Sequence, residues 1–426
     1  MHYIKIKTFP HTILLLVLLI NECKSQYYIG DNRFKYFTEV FSWKQINYDF
    51  DGVLYTKDEP IQKKLDSIFF RDEIDEKFQF FKQYNNIPIG FEVYNQKVFI
   101  TVPRRRYGIP STLNVVPLET GTSPLLKPYP NTESIDSFVS VYRPRVDSCK
   151  RLWMVDTGLI EVPNNFEQKR APQIIIYDLE TDTEILRHEI PMDVLVNGTT
   201  SGLTSITVDV LPSKCDDAHA YINDLARNGL IVFSLKQRSL WRISHKTFNY
   251  DVGATDFMVA HQVINWKDGL FSVALSDPDD DGKRTAYYHP FISTQEYSVS
   301  NEILKDQSAD FAKNYKLEGV RGAFSQSGSH DFHSGSKALF YANVAQDGVM
   351  CWNTKIPLTT KTAIVVAQSH TKLVYISDLK VIKDEVWVLV NQIPVFIYSQ
   401  FNVTETNFYV HKAKISDLIK HTVCDK

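Results

Sequence analysis

Short apolar runs recur along the whole chain, and each gives way to turn residues. They are Lys97-Val98-Phe99-Ile100-Thr101-Val102-Pro103, Leu152-Trp153-Met154-Val155-Asp156-Thr157-Gly158, Ala220-Tyr221-Ile222-Asn223-Asp224, Gly269-Leu270-Phe271-Ser272-Val273-Ala274-Leu275, Ala338-Leu339-Phe340-Tyr341-Ala342-Asn343 and Glu385-Val386-Trp387-Val388-Leu389-Val390-Asn391. Their Tyr, Phe, Val, Ile and Thr fit strands better than helices. Neighbouring runs lie about 50 to 70 residues apart, with room for further short strands, which is the period of repeated propeller blades. Turn signals such as Asn228-Gly229, Asp268-Gly269, Asp281-Gly282 and Asp347-Gly348 lie between them. Strand, turn, strand without long helical spacers argues for antiparallel sheets. The pattern predicts an all-β propeller in which the end of each run points at a shared central channel. Helix patterns are few. One covers residues 61–70, with Ile61, Leu65, Ile68 and Phe69 on one face; another covers 309–315, with Ser308 as N-cap.

The N-terminus departs from this pattern. Lys5 and Lys7 precede an unbroken apolar stretch over residues 13–20, and Cys23 and Ser25 suit a cleavage site. This reads as a signal peptide over residues 1–25, with one propeller domain over 26–426. A membrane anchor needs about 20 apolar residues, and this stretch is too short. The expectation is a secreted, extracellular protein, with no membrane or nucleic-acid partner and a monomeric state. The formal net charge of −3 becomes about −5 without the leader, which gives no footprint for nucleic acid.

Beyond the leader, Cys149, Cys215, Cys351 and Cys424 remain. An even number in an oxidising compartment suggests two disulfides, and spacing leaves three pairings open. None forms C-x-x-C, so no metal centre or cofactor is expected. Asn197-Gly198-Thr199 and Asn402-Val403-Thr404 are glycosylation acceptors. A propeller must close its ring, by the N-terminal strand completing the last blade or by a disulfide; Cys351 and Cys424 flank that blade.

Three charged clusters carry candidate chemistry. Arg104-Arg105-Arg106 follows a strand, so alternate side chains face opposite sides. The readings are a phosphate or carboxylate site, or the plainer one of salt bridges to loop carboxylates. Asp277-Pro278-Asp279-Asp280-Asp281-Gly282 imitates the start of a calcium loop, but position twelve is Tyr288 where Glu is required, which favours a solvated turn. His330-Asp331-Phe332-His333 lies in a Ser/Gly-rich stretch that reads as a loop.

Longer motifs make the chain recognisable. Phe41-Ser42-Trp43-Lys44, Ile87-Pro88-Ile89-Gly90, Val102-Pro103-Arg104-Arg105-Arg106 with Gly108-Ile109-Pro110-Ser111-Thr112-Leu113, Cys149-Lys150-Arg151-Leu152-Trp153-Met154, Tyr288-His289-Pro290 and Cys351-Trp352-Asn353 appear in order. With these the chain resembles the Yellow / major royal jelly protein family of insects. The resemblance implies a six-bladed β-propeller with a central channel and disulfides Cys149–Cys215 and Cys351–Cys424. It implies catecholamine- or indole-type ligands at one channel mouth and a role in pigmentation. The alternatives are a dopachrome tautomerase with a His or Tyr proton shuttle, or a bulk secreted protein without a ligand. Aligned on Asp378 and Trp387, the family's amine site falls on Tyr375, Ser377, Asn391 and Ile393. Tyr375 offers a ring, and Ser377 and Asn391 offer hydrogen bonds. Ile393 stands where the pattern has an aromatic. The plainer reading makes these inner-strand residues bonding across a water-filled channel. His289 is a weak acid–base candidate, and a structural role at a strand end is its plainer reading.

Overall fold

The computed structural model describes residues 32–60, 79–163, 165–196 and 200–425. The leader, the helix pattern at 61–70 and Asn197 lie outside the described residues. Six four-stranded antiparallel sheets dominate. From the innermost strand outward, blade one is Gly90–Tyr94, Lys97–Thr101, Leu113–Pro117 and Lys127–Pro128. Blade two is Arg145–Val146, Arg151–Asp156, Gln173–Asp178 and Thr183–Glu189; blade three is Leu203–Asp209, His219–Asp224, Gly229–Ser234 and Ser239–Ser244. Blade four is Leu270–Leu275, Thr285–Pro290, Gln295–Ser300 and Lys316–Val320; blade five is Ser327–His333, Ala338–Asn343, Gly348–Asn353 and Ile364–Gln368. Blade six is Ile376–Ile382, Glu385–Val390 and Phe408–Lys414, completed on the outside by Thr38–Trp43. Innermost strands meet in cyclic order and blade six returns to blade one, so the chain is a six-bladed β-propeller.

The recurrent runs are second strands in five blades and the innermost strand in blade four. A second strand is covered on both faces by neighbouring blades, so all positions of Arg151–Asp156, His219–Asp224 and Ala338–Asn343 are buried. Such strands read as continuous apolar runs instead of alternating ones. The ends of the runs do not point into the channel. They tie each blade to the next: Asn223 Nδ2 donates to Leu270 O (3.1 Å), Asn391 Nδ2 donates to Pro88 O (2.8 Å), and Thr101 Oγ1 donates to Tyr142 O.

Both expected forms of closure are present. Thr38–Trp43 pairs with Phe408–Lys414, and Trp43 Nε1 donates to Pro124 O (2.8 Å), linking the last blade to the first. Cys351–Cys424 fastens the C-terminal segment to blade five, and Cys149–Cys215 joins blades two and three. The second helix is shorter than its pattern. It spans Phe311–Asn314 and is capped by Asp310, while Ser308 bonds to Asp306. Among the described residues no helix is long and apolar enough to cross a membrane.

Candidate functional site

The innermost strands wall the hub with polar side chains, among them Thr207, Ser329, Asp331, Asp378 and Lys380. Two arginines entering blade two cross it. Arg145 forms a forked pair with Asp331 in the opposite blade (2.8 and 3.2 Å). Arg143 donates to Ser377 O (2.9 Å) and Thr204 O (3.1 Å), and its guanidinium lies 4.7 Å from the centre of the Phe271 ring. The axis therefore holds two cavities with no lining residue in common. The lower is polar, about 220 Å³; the upper is about 420 Å³, on the face where second strands end and innermost strands begin.

Loops build the upper cavity. The segment after the second strand of blade one brings Arg105, and the entry to blade four brings Trp266 and Asp268. Blade six brings Tyr375 and Ser377, and the helix Ile393–Tyr398 brings Ile393 and Tyr398. The indole of Trp266 is fixed on three sides: Nε1 donates to Tyr398 Oη (2.7 Å), Tyr375 meets it edge-on at 5.9 Å, and Phe291 lies at 5.8 Å. Tyr375 has φ 55°, a left-handed backbone that is costly for a bulky residue and recurs at functional sites. Burial raises the pKa of its phenol, so the hydroxyl stays protonated.

Of the four positions carried over from the family, Tyr375, Ser377 and Ile393 line this cavity and Asn391 does not. Asn391 is fully buried, its amide bonded to Pro88 O and to the Ile393 N–H. The Ser377 hydroxyl is also engaged, donating to Ile89 O (2.7 Å). Ile393 opens a helix and is not on a strand.

The three consecutive arginines part ways. Arg104 is caged by five carbonyl oxygens, those of Ile109, Phe138, Val139, Pro110 and Ile135. Arg106 stacks 3.8 Å from the Phe396 ring centre. Arg105 lines the cavity, and its buried Nε has no hydrogen-bond partner. Among the described residues none of the three forms a salt bridge, so the loop-carboxylate reading is corrected: carbonyls and an aromatic face take that role. Asp268 is half-buried in the same wall; its backbone carbonyl accepts from Ile292 N–H (3.2 Å), while its carboxylate accepts no hydrogen bond from the described residues. Burial pushes its carboxyl up to about 6, against the pull of Arg105.

No histidine is among the residues lining the upper cavity. His330 and His333 lie on the innermost strand of blade five, so the loop reading of that stretch is corrected; Ser and Gly are frequent there because the strand faces a polar hub. An odd spacing puts the two rings on opposite faces. His330 meets Ser272 Oγ (2.7 Å), and His333 meets Ser336 and Asp384. His289 is fully buried, between Glu296 Oε2 (3.0 Å) and Gly328 O (3.1 Å), bridging blades four and five. His289, Glu296 and His330 bring ligand-type atoms within 4.8 Å of one another. Arg321, 2.6 Å from Glu296 Oε2, already supplies the positive charge there. The Asp277–Gly282 acids serve their own turn and Lys337: Asp279 Oδ1 accepts from two backbone N–H groups at 2.8 and 3.0 Å.

The sequence profile of the major royal jelly protein family matches residues 139–424. The chain is 37% identical over 407 residues to a Drosophila melanogaster protein named L-dopachrome tautomerase yellow-f, covering 91% of this chain and 94% of that one. The chain belongs to the Yellow / major royal jelly protein family. A second Drosophila melanogaster relative of this Yellow-family chain, named dopaminechrome tautomerase, is 33% identical over 80% of this chain and 77% of its own. Protein yellow of the same fly is 35% identical over 80% of this chain and 65% of its own. In this Yellow-family propeller the chemistry missed by sequence reasoning is Asp268 and Trp266. Both sit in an inter-blade loop whose Asp268-Gly269 pair reads only as a turn.

Proposed function

We propose that this protein is exported and binds a planar catechol- or indole-type molecule in its upper cavity. There it moves a proton within an aminochrome, an isomerisation that needs no oxidant and changes no atom count. Such chemistry suits extracellular pigment formation. Trp266, Tyr375 and Phe271 supply ring faces and edges for a flat ligand. Asp268 takes a proton from a carbon of the saturated five-membered ring and returns one to a quinone carbonyl oxygen; a second shift of the same kind completes the aromatic dihydroxyindole. The observation that carries this reading is the Asp268 carboxyl, which lines the cavity without a hydrogen bond from the described residues and is raised by burial to about 6, the range in which one group serves as both base and acid. The names of the two tautomerase relatives support it. A bulk protein without a ligand has no need of a fixed aromatic wall around a perturbed acid.

The test is dopachrome decay, followed by absorbance, with purified protein. Catalysed decay should have a kcat/KM that rises with pH through about 6, as Asp268 ionises. Asp268→Asn should lower it by about 10²–10⁴-fold and abolish that limb, while calorimetry still detects a bound indole. A wild-type rate equal to buffer, or an Asp268→Asn enzyme with the native rate and profile, rejects the proposal.

A further inference from the structure

The upper cavity carries more positive charge than its own residues neutralise. Arg143 is held by two carbonyl oxygens and faces an aromatic ring. Arg105 has a buried Nε without a partner, and among the described residues no carboxylate lies in ion-pair range of it. The one acid lining the same cavity, Asp268, makes no bond to Arg105, Arg143 or the third arginine of the lining, the solvent-exposed Arg227. This is a local excess in a chain whose formal net charge is −3, so the general composition does not account for it. A guanidinium left unpaired beside a fixed aromatic wall is an incomplete ion pair. Its planar fork matches a carboxylate, which a neutral ring substituent cannot replace.

Resting on the tautomerase reading of this cavity, we propose that Arg105 is the specificity-determining residue. It receives the carboxylate of a ring-carboxylated aminochrome, and so selects that substrate over its decarboxylated counterpart. The two tautomerase relatives are named for one substrate of each kind: dopachrome carries a ring carboxylate and dopaminechrome lacks it. Arg104 and Arg106 cannot serve, because one is caged by carbonyls and the other stacks on Phe396. Arg143 keeps a fixed position under the ring, while Arg105 has donors to give. When the carboxylate binds, the Arg105 fork acquires its acceptor, and the neutral analogue leaves that donor unsatisfied.

Two measurements decide this. In the first, kcat/KM for dopachrome and dopaminechrome is compared in wild type, Arg105→Gln and Arg105→Lys. Wild type should favour dopachrome by about tenfold or more. Arg105→Gln should raise KM for dopachrome until the preference vanishes; because Arg105 also holds the Asp268 carboxyl down, both rates shift together and the ratio of the two substrates is the readout, which Arg105→Lys should partly restore. In the second, calorimetry uses the stable probes indole-2-carboxylate and indole. The carboxylated probe should bind wild type about tenfold tighter, and Arg105→Gln should bind both alike. Equal affinity of the two probes for wild type, or an Arg105→Gln effect of the same size on both, overturns the inference. Failure to turn over either aminochrome, with carboxylate-selective binding intact, overturns the tautomerase reading alone.

Discussion

Asn391 uses both ends of its amide on backbone: Nδ2 donates to Pro88 O in the chain entering blade one, and Oδ1 accepts from the Ile393 N–H that opens the helix beside the cavity. No part of the side chain is exposed. Truncation leaves a buried carbonyl and a buried N–H without partners, at about 1–3 kcal/mol for each unsatisfied group. Asn391→Ala should therefore lower the unfolding free energy in urea by about 2–6 kcal/mol. Where the variant is folded, its affinity for an indole probe should change by less than about threefold, since Asn391 does not line the cavity. A native urea midpoint, or loss of probe binding by a stable variant, contradicts this assignment. Ser377 lines the cavity, but its hydroxyl is likewise spent on backbone, donating to Ile89 O. Tyr375, with its ring against Trp266, and Ile393 are the inherited positions that line the cavity without a side-chain hydrogen bond to backbone, and Tyr375 alone of the four offers a ring to a ligand's flat face.

Ring closure is where single elements matter most. The strand Thr38–Trp43 covers the edge of blade six, and the C-terminal helix Ile415–Ile419 packs on the turn Arg33–Tyr36. Cys351–Cys424 fastens that helix to blade five across 73 residues of chain, and Cys149–Cys215 closes a loop of similar size, 66 residues. Loop entropy depends on the logarithm of length, so removing either bridge should cost about the same, roughly 2–4 kcal/mol. The two losses should differ in proteolysis. A Cys351→Ser, Cys424→Ser variant should be clipped first after Lys414, releasing a short C-terminal peptide visible by mass; the Cys149, Cys215 variant should keep that end intact. Identical cleavage maps count against a closing role for the first bridge. The fold was legible because second strands, covered on both faces, leave a continuous apolar signature. It was blurred in blade four, where Leu270–Leu275 is the more apolar run and the second strand Thr285–Pro290 carries Tyr287, Tyr288 and His289. Half of the site was legible. Arg105 lay in a marked charge run, and Tyr375 and Ser377 followed from resemblance. Asp268 and Trp266 were not legible, because an isolated acid after a tryptophan in an inter-blade loop has no periodic signal. Only ring closure brings them beside residues more than a hundred positions away.

At the scale of the whole molecule, the seam that closes the ring contains a buried imidazole. His411 lies opposite Glu39 in the pairing of the N-terminal strand with blade six, stacked on Tyr409 (5.1 Å) and edge-on to Phe34 (5.9 Å). Burial pushes it down to about 4, more than Glu39 draws it up. An unfolded chain takes up this proton as pH falls through about 6.5, and the folded ring resists until about 4. The contribution is therefore complete above pH 6.5 and declines between 6.5 and 4, by on the order of 3 kcal/mol. Asp268 has the opposite sign: its raised carboxyl binds a proton in the folded state while the unfolded chain is ionised, so it favours the fold as pH drops below 6. The two partly cancel, and the stability profile of the native chain alone cannot isolate the seam. A comparison of urea unfolding across pH 4.5–7.5 in wild type and His411→Gln does isolate it, because every other titration is shared. The variant should be less stable at pH 7.5, where it lacks the imidazole packing, and its deficit should shrink or reverse toward pH 4.5. The same change should appear in both tertiary and secondary-structure signals, since a propeller that opens at its seam exposes the edge of its last blade and loses the cyclic support of the other five. A constant deficit over that pH range would mean that His411 binds its proton equally in the folded and unfolded states, and that burial in the seam does not disfavour the charged ring.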